Sequence, residues 1–177
     1  MVPVGDPTMV IIVDPAPAYP AHWYENGVGI VTEKFTRYMP LAKTNNYIEG
    51  VRQTIRAEKE NAMEPVYYSE EQVFEGSNSN IFALIQGKLL SPKSTVLSGI
   101  TKATLFEILK LDIQLEEKDF TLSELMEAEE VFLTASSKEI VPVVRIDGAQ
   151  VKNGTVGPVT KEVMRQFRTY TSSSEWH

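Results

Sequence analysis

A chain of 177 residues can bury one good hydrophobic core and is expected to form one domain, and an apolar share of 42% argues against wholesale disorder. A net charge of −7 without a Lys/Arg cluster argues against a nucleic-acid partner or an anionic membrane. The absence of cysteine removes disulfides, zinc–thiolate sites and thiol nucleophiles, and it fits a reducing cytoplasm.

Two histidines, His22 and His177, leave no multi-histidine metal site, and no metal ligand set is expected. A Ser/His/Asp triad would have to use His22, which no nucleophile-elbow sequence accompanies. Met9-Val10-Ile11-Ile12-Val13 is the longest apolar stretch, far too short to span a bilayer, and the N-terminus lacks the pattern of a signal peptide.

In chain order, residues 1–8 read as irregular. The continuous β-branched run 9–13 predicts a buried strand, and the Pro-rich stretch 14–20 breaks any regular element. A second strand is predicted at 28–32. From 44 to 61 the pattern turns helical, with Tyr47, Ile48, Val51, Thr54 and Ile55 on one face. That predicts Lys43 beside a buried helix face. Short strands are predicted at 65–68 and 72–75, and a hairpin at 81–85 and 88–90 turning on Gln86-Gly87. A helix is predicted over 101–111, a strand over 113–117, and a short helix from the capping box Thr121-Leu122-Ser123-Glu124. A strand at 130–134 precedes a hairpin, 141–146 with 149–151, over Asp147-Gly148. Pro158 starts a last helix, and 171–177 reads as a frayed tail. Mixed strands and helices indicate an α/β or α+β fold.

Three places in this order carry chemistry. Lys43 offers an amine, Glu75 a carboxylate, and Gly99-Ile100-Thr101 a glycine turn at the start of a helix. Together these are the parts needed to hold pyridoxal phosphate: an amine for the aldehyde, a carboxylate to keep the pyridine nitrogen protonated, and free N–H groups for the phosphate. Tyr47, four residues after Lys43, would stand one helical turn away if the helix starts that early, within reach of the cofactor's phenolic oxygen. Thr134-Ala135-Ser136-Ser137 is a second phosphate candidate. Each also has a commonplace reading: a solvated lysine, a polar residue at a strand end, a core tyrosine, a plain turn. Spacing alone does not single out the cofactor.

Taken together, the segments resemble the class IV aminotransferases, the pyridoxal-phosphate enzymes of fold type IV. That family includes branched-chain and D-amino-acid aminotransferases and aminodeoxychorismate lyase. The resemblance rests on Lys43 with Asn46-Tyr47, Glu75-Gly76-Ser77 with Asn80-Ile81-Phe82, and Leu97-Ser98-Gly99-Ile100-Thr101. It continues through Glu129-Glu130-Val131-Phe132, Ser136 with Glu139-Ile140, Pro142-Val143, Ile146-Asp147-Gly148 and Gly157-Pro158.

The resemblance implies a mixed-sheet pseudo-barrel, the large domain of the fold type IV enzymes, over residues 21–170. Residues 1–20 would be a remnant strand and interdomain linker, 171–177 a tail, and the family's smaller N-terminal domain is expected to be absent. It implies that Lys43 is the covalent cofactor lysine, that Glu75 bonds the pyridine nitrogen, and that Tyr47 touches the cofactor's O3′. Gly99, Ile100 and Thr101 would form the phosphate turn, and Ala135 and Ser136 the second, carboxylate-side turn. The expected reaction is amino transfer between an amino acid and a 2-oxo acid, in a cytoplasmic homodimer. Tyr47 points toward the branched-chain type and Glu75-Gly76-Ser77-Asn78-Ser79-Asn80 toward the D-amino-acid type. The alternatives are a lyase of the aminodeoxychorismate type, or a cofactor-binding module without activity of its own. The absent domain would also leave an apolar face uncovered.

Overall fold

The computed structural model describes residues 5, 6 and 8–173. Five helices and nine strands alternate along it. They are α1 (Ala21–Asn26), β1 (Val28–Lys34), α2 (Ile48–Lys59), β2 (Glu64–Ser69), β3 (Gln72–Gly76), β4 (Asn80–Ile85) and β5 (Lys88–Ser91). Then follow α3 (Ile100–Ile108), β6 (Gln114–Glu117), α4 (Leu122–Met126), β7 (Glu130–Ala135), β8 (Glu139–Ile146), β9 (Ala149–Gln150) and α5 (Pro158–Thr171).

All nine strands join one mixed sheet in the order β3-β2-β1-β8-β7-β4-β5-β6, with β9 paired to β8. β1 runs parallel to β2 and β8, and β5 parallel to β6; the other pairs are antiparallel. This order cannot be flat. β3 and β4 stand first and sixth, which in a flat sheet would separate them by about 24 Å at ~4.8 Å per strand. Residues 77–79 alone connect them, and so short a link reaches ~14 Å at most. The sheet must curl, and the curl brings the end of β3 beside the start of β4. It is this curled mixed sheet that the resemblance implies.

Each face of the sheet buries its own cluster. Alternate residues of β4 divide between them: Ile81, Ala83 and Ile85 pack with Leu133, Val131 and Leu125 on one side, and Phe82 with Phe132, Leu105 and Phe167 on the other. Phe82 and Phe132 are register partners, their rings stacked with centroids 4.9 Å apart. Burial on both faces explains why β4 reads as an unbroken apolar run.

Local signals were realised where they were strongest. The hairpin turns at Gln86-Gly87, with both residues at positive φ. Thr121 and Glu124 close the capping box in both directions. Pro158 opens α5, where the buried Glu130 carboxylate accepts from Val159 N, Thr160 N and Thr160 Oγ1 at 3.0, 2.7 and 2.7 Å.

Several expectations are corrected. Residues 9–13 form no strand: Met9, Val10, Ile11, Ile12 and Val13 are 74–87% exposed and pair with nothing in the described sheet. A β-branched run becomes a strand only where another strand satisfies its backbone. The 14–20 stretch is followed by the unexpected helix α1, capped at Pro20. α2 starts at Ile48, four residues later than predicted, because 42–47 is spent on tight turns, Thr44 N to Ala42 O and Tyr47 N to Asn45 O. Its apolar face was expected to be buried, yet Ile48, Val51 and Ile55 are exposed, and only Ala57 is buried, against Val31 and Ala62. α3 stops at Ile108, not at 111. α5 runs through Thr171, and Ser172 and Ser173 still bond back to it; 174–177, like 1–4 and 7, lie outside the described residues.

Candidate active site

β4 and β7 run antiparallel with Asn80 opposite Thr134, so the start of one strand lies beside the end of the other. The curl adds the end of β3, and the 92–99 loop delivers the start of α3 to the same place. Between them lies a cavity of about 650 Å³. Lys43, Tyr47 and Glu75 line it, as do Gly99, Ile100 and Thr101 at the start of α3 and Ala135 and Ser136 at the end of β7. Every site residue named from the sequence is therefore on one cavity, although 93 positions separate Lys43 from Ser136.

Glu75 is the most constrained group. It is 3% exposed. Its Oε2 accepts from Leu97 N at 2.8 Å and, at a long 3.4 Å, from Asn80 Nδ2. Arg37 Nε lies 3.2 Å from Oε1, but the approach is an ion contact without hydrogen-bond geometry, and Oε1 has no donor among the described residues. Burial raises the Glu75 pKa above the ordinary glutamate value; the Leu97 N–H and the Arg37 charge oppose that rise. Thr134 Oγ1, on the same cavity, is likewise buried without a partner among the described residues.

Gly99 is the N-cap of α3 in an extended conformation, and no side chain caps that end. The first N–H groups of the helix are thus left to whatever occupies the cavity, with the positive end of the helix dipole behind them.

Lys43 is exposed, and the helix face expected to be buried beside it is exposed as well. Lys43 and Tyr47 do not sit a helical turn apart, since 43–47 precedes α2; they meet at the cavity through the turns of that segment.

Arg37 was missed by the sequence reading. Besides its ion contact with Glu75, it donates to the backbone oxygens of Gly76 and Ser77, and its guanidinium lies 5.8 Å from the ring centres of both Tyr47 and Tyr67. Its only signal was its place as a lone cation in Phe35-Thr36-Arg37-Tyr38, between a strand and Lys43. Burial pushes the Tyr67 hydroxyl up to about 12, so it stays protonated beneath Arg37.

The arrangement can hold an anion at the α3 start, accept a proton or an N–H at Glu75, and present an amine across the cavity. No three His, Asp or Glu side chains gather as a metal site among the described residues, and none of their helices is long and apolar enough to cross a membrane.

Comparison with known proteins gives a consistent result. The model of the family described as amino-transferase class IV matches residues 2–146. A D-alanine aminotransferase of Staphylococcus haemolyticus is 35% identical over 153 residues, covering 84% of this chain and 54% of that protein. One from Listeria monocytogenes serotype 4b (strain F2365) is 35% identical over 148 residues, covering 81% and 51%. Among solved structures, the Escherichia coli branched-chain amino acid aminotransferase superposes with a TM-score of 0.78 at 27% identity, over 89% of this chain and 56% of that one. The branched-chain amino acid aminotransferase from Thermobaculum terrenum, in its PLP-bound holo form, gives 0.78 at 25% identity, over 87% and 54%. The chain spans about half the length of the curated relatives it matches. A family match over most of the chain, together with the shared curled sheet, establishes that the chain belongs to the class IV aminotransferases.

Proposed function

We propose that the cavity holds pyridoxal 5'-phosphate and serves amino transfer between an amino acid and a 2-oxo acid. The observation that carries this reading is the buried, donorless Oε1 of Glu75, on the same cavity as the Lys43 amine and the uncapped start of α3. A buried carboxylate oxygen without a donor is costly unless an N–H of a ligand completes it. A protonated pyridine nitrogen is such a donor, and the pair would be a charge-assisted hydrogen bond. The donor set therefore fits the cofactor.

When bound, pyridoxal phosphate supplies an aldehyde to join an amine and a protonated ring to take up the electron pair left at the substrate's α-carbon. The rest falls to this chain. Lys43 would provide the amine that holds the aldehyde, and the same amine would carry a proton to and from the substrate's α-carbon. Glu75, held by Leu97 N and backed by Arg37, keeps the ring nitrogen charged. Ile100 and Thr101 offer N–H groups and a hydroxyl to the phosphate, Ala135 and Ser136 a second set, and Tyr47 a hydroxyl at the ring's oxygen.

In the same reading, residues 21–170 are the cofactor domain and 1–20 its interdomain link. The chain works as a homodimer, and the reaction is cytoplasmic. The relatives' names favour transamination over lyase chemistry, and no observation favours the lyase.

The test is a visible spectrum of the purified protein with added pyridoxal phosphate, before and after borohydride, followed by peptide mapping. A reducible absorption band that maps to Lys43 and is lost in Lys43→Ala is expected. Reduction mapping to another lysine, or substantial turnover in Lys43→Ala, would overturn the assignment.

A further inference from the structure

Lys138 is a lysine where lysines are rarely found. It is 7% exposed, two residues beyond Ser136, and its ammonium lies 2.9 Å from Glu64 Oε1 and 2.7 Å from Asn78 Oδ1. Glu64, on β2, is 2% exposed. Its other contacts all go to one short turn: Ser77 Oγ and Asn78 N donate to Oε2 at 2.9 and 3.1 Å, and Ser79 Oγ to Oε1 at 2.8 Å. That turn joins β3, which carries Glu75, to β4, which begins at Asn80.

The pair thus ties together two walls of the cavity that belong to different connections, one between β3 and β4, which do not pair with each other, and one within the β7–β8 hairpin. One wall is the 77–80 turn. The other is the 135–138 turn, where the β7–β8 ladder ends at Ala135 opposite Glu139 and backbone pairing no longer fixes the chain. Beyond that last rung, the 136–138 turn is held by side chains. Lys138 reaches inward to Glu64 and Asn78, Tyr24 Oη donates to Lys138 O at 3.1 Å, and Tyr19 Oη to Ser137 Oγ at 3.2 Å. A buried ion pair seldom adds net stability over an apolar pair of equal volume, so its worth here is directional.

We infer that the buried Lys138–Glu64 pair is a positioning device: it sets the distance between the Glu75-bearing wall and the Ser136-bearing wall, and so the grip on cofactor and substrate. This rests on the reading of the cavity as the cofactor site. Neither residue lines the cavity. Both act through Asn78, Ser79 and Ser136, which do.

Lys138→Met keeps length and apolar volume and removes the ammonium. Amide hydrogen exchange on the protein without added cofactor is the first readout. Exchange at 77–80 and at 135–137 is expected to rise about tenfold or more, with β5 and α3 unchanged. Pyridoxal phosphate titration and kinetics give the second: a rise of about fivefold or more in the cofactor dissociation constant and in KM, with kcat within about twofold. Lys138→Arg is expected to restore both. Should Lys138→Met fail to fold, the double variant Glu64→Leu/Lys138→Met, which leaves no unpaired charge, is measured in the same way. Unchanged exchange in either turn, or a uniform rise across all segments, overturns the inference, as does faster exchange in both turns with cofactor affinity and KM unmoved. If the parent protein takes up no cofactor, the cofactor reading fails by itself, and the exchange data alone decide whether the pair ties the two turns.

Discussion

Adding one methyl group at Gly99 is expected to damage the site from inside. The backbone there is extended, φ −70° and ψ 139°, which any residue can adopt, so alanine meets no torsional objection. Space is the obstacle. A Cβ at Gly99 would overlap Asn80 Oδ1, with Asn80 Cγ only 3.3 Å away. Asn80 cannot step aside freely: it is 6% exposed, and its Nδ2 donates to Leu97 O at 2.9 Å and weakly to Glu75 Oε2. Overpacking a tight interior costs ~1–3 kcal/mol. Breaking the Asn80–Leu97 bond adds about 1 kcal/mol. Gly99→Ala is therefore expected to lose about 2–4 kcal/mol in urea unfolding. Because the displaced groups are the 97–101 turn and the partner of Glu75, pyridoxal phosphate affinity should fall about tenfold or more, a loss of ~1.4 kcal/mol. Gly87→Ala is the control. There φ is +73° and nothing lies within 4 Å, so the cost is torsional, about 1 kcal/mol, and cofactor affinity should not move. A Gly99→Ala variant as stable as the parent, or one no weaker in cofactor binding than Gly87→Ala, would refute the steric argument.

Other consequences are open to measurement. Glu130→Ala removes the carboxylate that caps α5 and strands the N–H groups of Val159 and Thr160; a loss of about 2–4 kcal/mol in chemical unfolding is expected, and a loss under ~0.5 kcal/mol would show that water replaces it. Burial raises the Glu75 pKa above the ordinary value of 4.5, so its contribution to stability is fullest below that value and is lost as pH rises through the folded-state value. Relative to Glu75→Gln, the parent without cofactor should therefore lose unfolding free energy as pH climbs from about 4 toward neutrality; a difference growing in the parent's favour would contradict the burial argument. Arg37→Met removes a charge that opposes the rise, so that same loss should extend to higher pH, and an unchanged profile would mean solvent already screens Arg37 from Glu75.

Residue patterns alone specified much of the local structure. The Gln86-Gly87 hairpin, the Thr121/Glu124 capping box and Pro158 at the head of α5 depend on torsions and hydrogen bonds within a few residues, so they were legible one segment at a time. The strings around Lys43, Glu75, Gly99 and Ser136 stood out through their combined resemblance to a family's motifs, each being commonplace alone, and the fold brings all four to one cavity. What lay beyond the sequence was anything depending on which surface meets which. Apolar periodicity marks Ile48, Val51 and Ile55 as one face, but periodicity does not supply the element that would cover it. A β-branched run at 9–13 looks like a strand, and only a neighbour with free backbone groups could have made it one. Sheet order, the curl forced by a three-residue link between its first and sixth strands, the approach of Arg37 to Glu75, and the buried Lys138–Glu64 tie all arise from contacts across tens of positions. Such contacts leave no mark in the local pattern of either partner, because each side chain is chosen for a neighbour that only the folded chain brings near.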